Sequence, residues 1–341
     1  MNFLKNNINI IINTDMFLSH HYHIYFEKYI NNQKVRAYEV DKSKKREHIK
    51  STLGEYFERE VLINSNFTPN KMRIMTSLID GSIKYIPLSD LVFVDSFVDS
   101  CGMASHVLSE DVIWKAYKEF FERQSFIASF LFHLPACEIE IKSIENLVHG
   151  HQYILNYLDE VKYYNISLSK DIFVTLAIGW SDKAKAAGLG TSRSMWKSIE
   201  KAQREILQYF AVARSKRNAV KEQILKKNSD LYHLNFEEMS VLEFKQEYAY
   251  LFEQEEKSSI IKSKIISKDD IILQNYYKLN MNPYIAVFSQ REGEGIKVVK
   301  IKDDFWFPHM FPELYEEERI DALEKRFKWK RKNYSKMIPF A

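Results

Sequence analysis

The sequence is short of residues that break or loosen a chain. Nine glycines and seven prolines in 341 residues leave little room for flexible linkers, low-complexity tracts or disorder. Two cysteines, Cys101 and Cys137, offer no disulfide framework and no Cys-x2-Cys zinc site. Excess charge is also missing. A formal net charge of +3 is too small to draw nucleic acid by bulk electrostatics, so no nucleic-acid partner is expected. No stretch approaches the roughly 18 apolar residues that span a bilayer. The apolar run Ile8–Ile12 is interrupted by asparagine and has no cleavage signature. The expectation is a soluble, cytoplasmic protein with no membrane partner. Gly-x4-Gly-Lys-Ser/Thr is absent as well, so any ATP site is not of the P-loop type.

What is present points to a folded core: 45% of residues are hydrophobic and 14% aromatic, enough to bury a substantial interior at this length. Short strands are predicted over Asn2–Thr14 and Lys34–Val40, and a first helix over Lys44–Leu62. Lys71–Ile86 reads as a hairpin about Asp80-Gly81, Leu91–Val98 as a buried strand, and Ser109–Leu131 as a long helix with acidic residues in its first turn. A strand over Cys137–Ile141, a helix over Ile144–Leu158, and paired strands over Tyr163–Leu168 and Asp171–Gly179 follow. A polar loop at Ser181–Gly190 then precedes a helix from Arg193 to Arg217. Helix is predicted again over Glu237–Lys257 and Lys268–Tyr276. Strands are predicted over Pro283–Gln290 and Gly295–Ile301, joined by a turn at Arg291–Glu294. A charged helix over Glu313–Lys332 leads into an extended tail. The mixture gives an α+β fold, mixed and antiparallel sheets packed with helices, as a single domain over residues 1–341 with a C-terminal tail from about 333.

Three amphipathic segments repeat one pattern. Ser51, Glu55 and Glu58 share a helix face; Glu119, Glu122 and Arg123 form a second polar row; Glu205 and Gln208 form a third. Glutamates on exposed helix faces are common, and Arg123 is also placed for an i,i+4 ion pair with Glu119. Convergence of the three rows would crowd carboxylates, which is tolerable when a cation lies between them. Gly54, inside the first row, permits close approach of another group. The basic run Lys42-Ser43-Lys44-Lys45-Arg46 is either a solvated helix start or a source of a cation for phosphate, with Lys44 or Lys45 favoured. His106 reads as structural, the cluster His20, His21 and His23 lacks paired metal ligands, and Cys101 lacks an evident base beside it.

The Ser-x3-Glu-x2-Glu helix, the later Glu-x3-Arg helix and the Glu/Gln helix, in that order, resemble the YcaO family of ATP-using enzymes. Asp99–His106 is similar to the family's loop before its second helix, and Gly188–Ser192 to the loop before its third. The closing Ser335–Ala341 resembles the end of family members in microcin B-type thiazole/oxazole synthetases. The resemblance implies a YcaO-like fold with ATP and Mg2+ as cofactors. Ser51, Glu55, Glu58, Glu119, Arg123, Glu205, Gln208 and Lys45 would then be nucleotide-binding, and Glu55, Glu58, Glu119 and Glu205 would hold the metal. It implies catalytic roles for Arg123, on a phosphate oxygen, and for the terminal carboxylate of Ala341. The tail keeps only Pro339 and departs from a fuller proline-rich pattern.

The activity so implied is an ATP-dependent cyclodehydratase that closes thiazoline or oxazoline rings on a ribosomally made precursor peptide. Implied partners are a leader-binding E1-like subunit and a flavin-dependent dehydrogenase, since no leader-binding module is recognisable in the chain. Thioamide or amidine formation, and a non-catalytic scaffold of the same fold, are the alternatives. The intact acidic positions argue against the scaffold, and Tyr209, where some relatives have arginine after the glutamine, keeps it open.

Overall fold

The strongest local signal is Phe173–Trp180, eight residues of which every one is buried. A run of that kind cannot be an edge or a surface strand, and it becomes the second strand of a five-stranded sheet. The computed structural model describes residues 11–13, 22–30, 33–41, 45–63, 71–92, 98–141, 144–218, 231–253, 257–258, 266–289 and 295–340. In chain order the elements are β1 (Ile11–Asn13), β2 (Tyr22–Ile30), β3 (Gln33–Asp41), α1 (Lys45–Ile63), β4 (Met72–Ser77), β5 (Ile83–Pro87), β6 (Met103–His106) and α2 (Ser109–Phe132). Then come β7 (Cys137–Ile139), α3 (Glu145–Ile154), β8 (Glu160–Asn165), β9 (Phe173–Trp180), β10 (Lys185–Ser192), α4 (Met195–Asn218), α5 (Leu231–Glu238), α6 (Val241–Glu247) and α7 (Ala249–Phe252). The last are β11 (Lys257–Ser258), α8 (Lys268–Leu279), β12 (Tyr284–Ser289), β13 (Lys297–Lys302) and α9 (Glu317–Phe327).

Two compact units divide the chain. The first comprises Met1–Phe120, Ala211–Val220 and Pro283–Lys302; the second comprises Phe121–Phe210, Lys221–Asn282 and Asp303–Ala341. The first unit holds the antiparallel sheet β1-β2-β3 and the antiparallel sheet β5-β4-β12-β13-β6. Helix α1 packs on β2, β3 and β6. Its Tyr56, Phe57, Val61 and Leu62 join Val35, Met75, Ala286, Phe288 and Val298 in one core cluster. The β4–β5 hairpin turns where the sequence places it: Gly81 has φ +71°, Ser77 N donates to Ser82 O at 2.8 Å, and Asp80 Oδ1 accepts from Ser82 N at 3.0 Å.

The second unit is built on the sheet β10-β9-β8-β7-β11, antiparallel except for the β7–β11 pair. Strands β9 and β10 pair over their full length, from Lys185 opposite Trp180 to Ser192 opposite Phe173. Helix α4 lies against this sheet, with Met195, Ile199, Ala202 and Ile206 fully buried among Ala177, Ala186 and Phe173. The approach is close enough to need missing side chains. A Cβ on Gly188 would land on Ala202 O, and one on Gly190 on Ser198 O.

Several expectations need correction. Residues 185–190 form most of β10 and are not loop; only Ser181–Ala184 turns, closed by Ser181 N to Ala184 O at 2.8 Å. The small residues that make this segment look loop-like are what the α4 contact demands. Met103–His106, read as loop, is β6, paired with β13 from Lys300 to Lys297. Leu91 and Val92 sit in a turn, and the rest of that predicted strand, 93–97, lies outside the described residues, as does the turn at 291–294. The helix expected over Glu237–Lys257 is broken into three elements, because Ser240 caps α6 with a reciprocal Ser240–Glu243 capping box. Helix α9 stops at Lys328, which takes the left-handed conformation at φ +57°.

Gly190→Ala is expected to destabilise the protein by about 3 kcal/mol, since backbone atoms of α4 must give way. Gly81→Ala meets nothing within 4 Å and should lose only about 1–2 kcal/mol from its positive φ. Denaturant unfolding of the two variants should rank them in that order.

Candidate nucleotide and metal site

The first unit fixes the Glu58 carboxyl group. Glu58 follows the buried pair Tyr56 and Phe57 on α1 and is itself partly buried. Strand β6 lies against it: Ser105 Oγ donates to Glu58 Oε1 at 2.8 Å. Gly54, one turn earlier, makes the room, because a Cβ there would stand 2.7 Å from Ser105 Oγ. Lys115 Nζ, from α2, donates to Ser105 O at 3.3 Å. Burial is the largest influence on the Glu58 carboxyl and pushes it up to about 7; Lys115 and the Ser105 hydroxyl pull down, and Glu55 pushes up again. Glu55 is half-buried and pairs with Arg59 at 2.6 Å, while Ser51 is exposed on the same row. Lys45 opens α1, and its side chain lies outside the described residues.

Strand β6 is held in turn by a buried lysine. Lys300 Nζ donates to Asp99 O at 2.5 Å and Leu91 O at 3.2 Å. Burial pulls its ammonium down to about 8, against the attraction of Asp99 and, more weakly, Glu119. The Asp99 carboxylate accepts from Cys101 N at 2.9 Å and Cys101 Sγ at 3.2 Å, so Cys101 is a structural thiol. Gly102, at φ +71°, gives its carbonyl to Ile301 N at 2.8 Å, and a Cβ there would meet Ile301 O. His106 Nδ1 accepts from Leu108 N at 3.1 Å, a structural role as expected.

In the second unit, β10 donates hydrogen bonds to two glutamates of neighbouring helices. Glu122, from α2, accepts from Thr191 Oγ1 at 2.5 Å. Glu205, from α4, accepts from Leu189 N at 2.5 Å. The two anchor residues are two positions apart on one strand, roughly 7 Å, so β10 brings a carboxylate of α2 and one of α4 into one neighbourhood. Lys201 Nζ donates to Thr191 O at 2.9 Å. Gln208 is half-buried one turn beyond Glu205. Arg123 places Nη1 3.5 Å from Met310 Sδ and its guanidinium 5.3 Å from the centre of the Phe340 ring. Tyr209 packs edge-on to Phe236 and donates to Glu237 at 3.1 Å, a packing role that accounts for an aromatic there.

The structure therefore joins Glu55 to Glu58 in the first unit and links Glu205 to a residue of lower standing in the sequence, Glu122. Ser51, Glu119, Gln208 and Arg123 lie on the predicted helices. Ala341 is outside the described residues. Sequence reasoning passed over Lys115 and gave Ser105 no role; Gly54 was the signal for Ser105, since a glycine inside a helix implies something lying against it. Among the described residues no group of three or more His, Cys, Asp or Glu side chains is placed to hold a metal ion. Mg2+ takes one or two carboxylates and completes its shell with phosphate oxygens and water. The donors present are carboxylate and hydroxyl oxygens, the right chemistry for that ion.

Carboxylates on helices α1, α2 and α4, and the absence of a phosphate-loop motif from the sequence, set the chain apart from the P-loop proteins. The model of the YcaO family, described as YcaO cyclodehydratase, ATP- and Mg2+-binding, matches residues 31–301, and the chain belongs to that family. It is an ATP-dependent enzyme of the YcaO type, with ATP and Mg2+ as its cofactors. Among solved structures, the E. coli microcin synthetase McbBCD complex is similar at a TM-score of 0.74 and 15% identity, over 97% of this chain and 96% of that one. YcaO from Methanopyrus kandleri, solved with AMPPCP and Mg2+, is similar at a TM-score of 0.71 and 12% identity, over 88% of this chain and 86% of that one. A heterocyclase in complex with substrate and cofactor matches at 0.71 and 14%, over 97% of this chain and 54% of that one. These likenesses show the fold. Comparison with curated protein sequences finds no match. No described helix is long and apolar enough to cross a membrane.

The raised Glu58 carboxyl has a consequence for stability. In the folded chain it holds its proton between pH 4.5 and about 7, where the unfolded chain has released it, so stability contributed by this group falls as pH rises through that window. The loss is at most about 3 kcal/mol. Glu58→Gln should flatten the profile of unfolding free energy against pH between 5 and 7 in nucleotide-free protein, with little change below pH 5.

Proposed function

We propose that the chain is the ATP- and Mg2+-dependent cyclodehydratase subunit of a synthetase that forms azoline rings on a ribosomally made peptide. The observation that carries the reading is the Glu58 carboxyl, packed under β6 in an environment that disfavours its charge. A desolvated carboxylate of this kind is stabilised by an arriving cation. Glu55, Glu58 and Glu119 in the first unit, and Glu205 with Glu122 in the second, are the proposed Mg2+ ligands. Ser51, Lys45 and Gln208 are assigned to the nucleotide, and Arg123 to a phosphate oxygen, which a planar guanidinium binds through two donors. Bound Mg2+ would supply charge neutralisation on the triphosphate.

In the proposed reaction a Cys, Ser or Thr side chain of the peptide attacks the carbonyl carbon of the preceding residue. The resulting oxyanion takes the γ-phosphoryl group of ATP, and ADP departs. The amide nitrogen then loses its proton, the C–O bond to the phosphorylated oxygen breaks, and inorganic phosphate leaves with a C=N bond formed in the ring. Phosphoryl transfer asks the protein for positioning and charge more than covalent help, and the chain's residues are of that type. Arg123 would offset charge developing on the transferred group. The terminal carboxylate of Ala341 is the proposed proton acceptor.

The McbBCD complex has been solved with pro-MccB17 bound, and this supports a precursor peptide and companion subunits here. An E1-like subunit for leader recognition and a flavin-dependent dehydrogenase are proposed for those places. The reaction can be followed with a peptide labelled with oxygen-18 in the carbonyl that precedes the reacting residue. One label is expected in the released phosphate for each ring closed, with loss of one water from the peptide. Label retained in the peptide, or phosphate released without label, would rule the reading out.

A further inference from the structure

We propose that Ser105 and Thr191 are positioning residues that select the metal ion. Each hydroxyl ties one oxygen of a carboxylate assigned to Mg2+, Glu58 or Glu122, so that the carboxylate offers an ion its other oxygen alone and Mg2+ is preferred to Ca2+. The inference rests on the assignment of Glu58 and Glu122 to Mg2+ in the proposed function. The device occurs once in each unit. In the first, Ser105 Oγ donates to Glu58 Oε1 at 2.8 Å, and the Ser105 amide adds a weaker attraction to the same carboxyl. In the second, Thr191 Oγ1 donates to Glu122 Oε2 at 2.5 Å. Ser105 and Thr191 are buried, while Glu58 and Glu122 keep part of their surface.

The surroundings of the two hydroxyls repeat as well. Ser105 stands opposite Val298 in the β6–β13 ladder, and Thr191 opposite Val174 in the β9–β10 ladder. In both places a lysine ten positions later, on the helix that follows the strand, holds the carbonyl of the hydroxyl residue. Lys115 Nζ donates to Ser105 O at 3.3 Å and Lys201 Nζ to Thr191 O at 2.9 Å. A hydroxyl on a backbone fixed twice over is a fixed donor, and a fixed donor settles which carboxylate oxygen accepts from it. Partners of this kind orient metal ligands and tune the site. Mg2+ demands a near-ideal octahedron at about 2.0–2.1 Å, in which the narrow bite of a two-oxygen carboxylate fits poorly. Ca2+ has a larger, more flexible shell at about 2.3–2.6 Å, to which a carboxylate often gives both oxygens. An oxygen committed to a hydroxyl therefore suits the first ion and handicaps the second. Glu205 carries a similar tie, its Oε2 accepting from Leu189 N at 2.5 Å.

The test is calorimetric titration of ATP, in saturating Mg2+ and in saturating Ca2+, into wild type, Ser105→Ala, Thr191→Val and Thr191→Ser. Unfolding curves recorded alongside confirm that each variant is folded. The readout is the ratio of the two affinities relative to wild type, in which the affinity of each ion for ATP itself cancels. Ser105→Ala and Thr191→Val are each expected to weaken Mg-ATP binding about tenfold and Ca-ATP binding by less, narrowing the preference for Mg2+ by about threefold or more. Thr191→Ser keeps the donor and is expected to keep the wild-type ratio. An unchanged ratio in Ser105→Ala or in Thr191→Val overturns the role of that hydroxyl, whether or not affinity falls, because a merely structural bond affects both ions alike. A ratio in Thr191→Ser as narrow as in Thr191→Val overturns the role of Thr191 too. Wild type that binds ATP with neither ion counts against the proposed function itself. The preference is then read from the rise in unfolding midpoint given by MgCl2 or CaCl2 alone. A larger rise with Mg2+ that the donor-less variants lose upholds the tie, and equal rises in wild type overturn it.

Discussion

A carboxylate largely withdrawn from water is the constraint on which the first unit turns. Glu58 is kept there by the absence of a side chain at Gly54, by the hydroxyl of Ser105 and by the strand that carries Ser105. Strand β6 keeps its place because Lys300, itself stripped of water, gathers the carbonyls of Leu91 and Asp99 beneath it. Each of these buried polar groups is costly alone and tolerable with its partners. A fold designed for stability alone would have put leucine at position 58. The retained glutamate, with Glu55 three residues away, is the feature on which the proposed cation site rests.

The second unit reaches a similar end through backbone contact. Gly188 and Gly190 let β10 lie directly on α4, and that proximity allows Glu205 to accept from the amide of Leu189. Thr191, two residues on, receives Glu122 from α2. One strand therefore sets the spacing of carboxylates that belong to two helices far apart in sequence. The same helix α2 supplies Leu131 as an anchor for the tail and Phe126 as a wall for Phe340.

Much of this was legible in the sequence because helices repeat with a short period. The rows Ser51–Glu55–Glu58 and Glu119–Glu122–Arg123 declare themselves by spacing, and the helices that bear them, Lys45–Ile63 and Ser109–Phe132, fall within a residue or so of their expected bounds. The hairpin at Asp80-Gly81 was legible for the same local reason. Strand β10 was not, since Ala186, Ala187, Gly188 and Gly190 have weak strand propensity and owe their conformation to a helix that follows them. Ser105 was placed in a loop because its partner, Glu58, lies 47 residues earlier. The anchoring of the tail by Tyr248 and Glu247 depends on contacts across about ninety positions, which no local pattern in the chain records.

The most direct measurement of the central claim, that Glu58 belongs to a cation-nucleotide site, is calorimetric titration of Mg-ATP into wild type and Glu58→Gln at neutral pH. Unfolding of both nucleotide-free proteins is recorded alongside. The expected result is tight binding by wild type and a loss of more than about tenfold in the variant, with a variant at least as stable as wild type because a desolvated charge has been removed. Equal affinity in the two proteins, or a loss of affinity that merely follows a loss of stability, would contradict it.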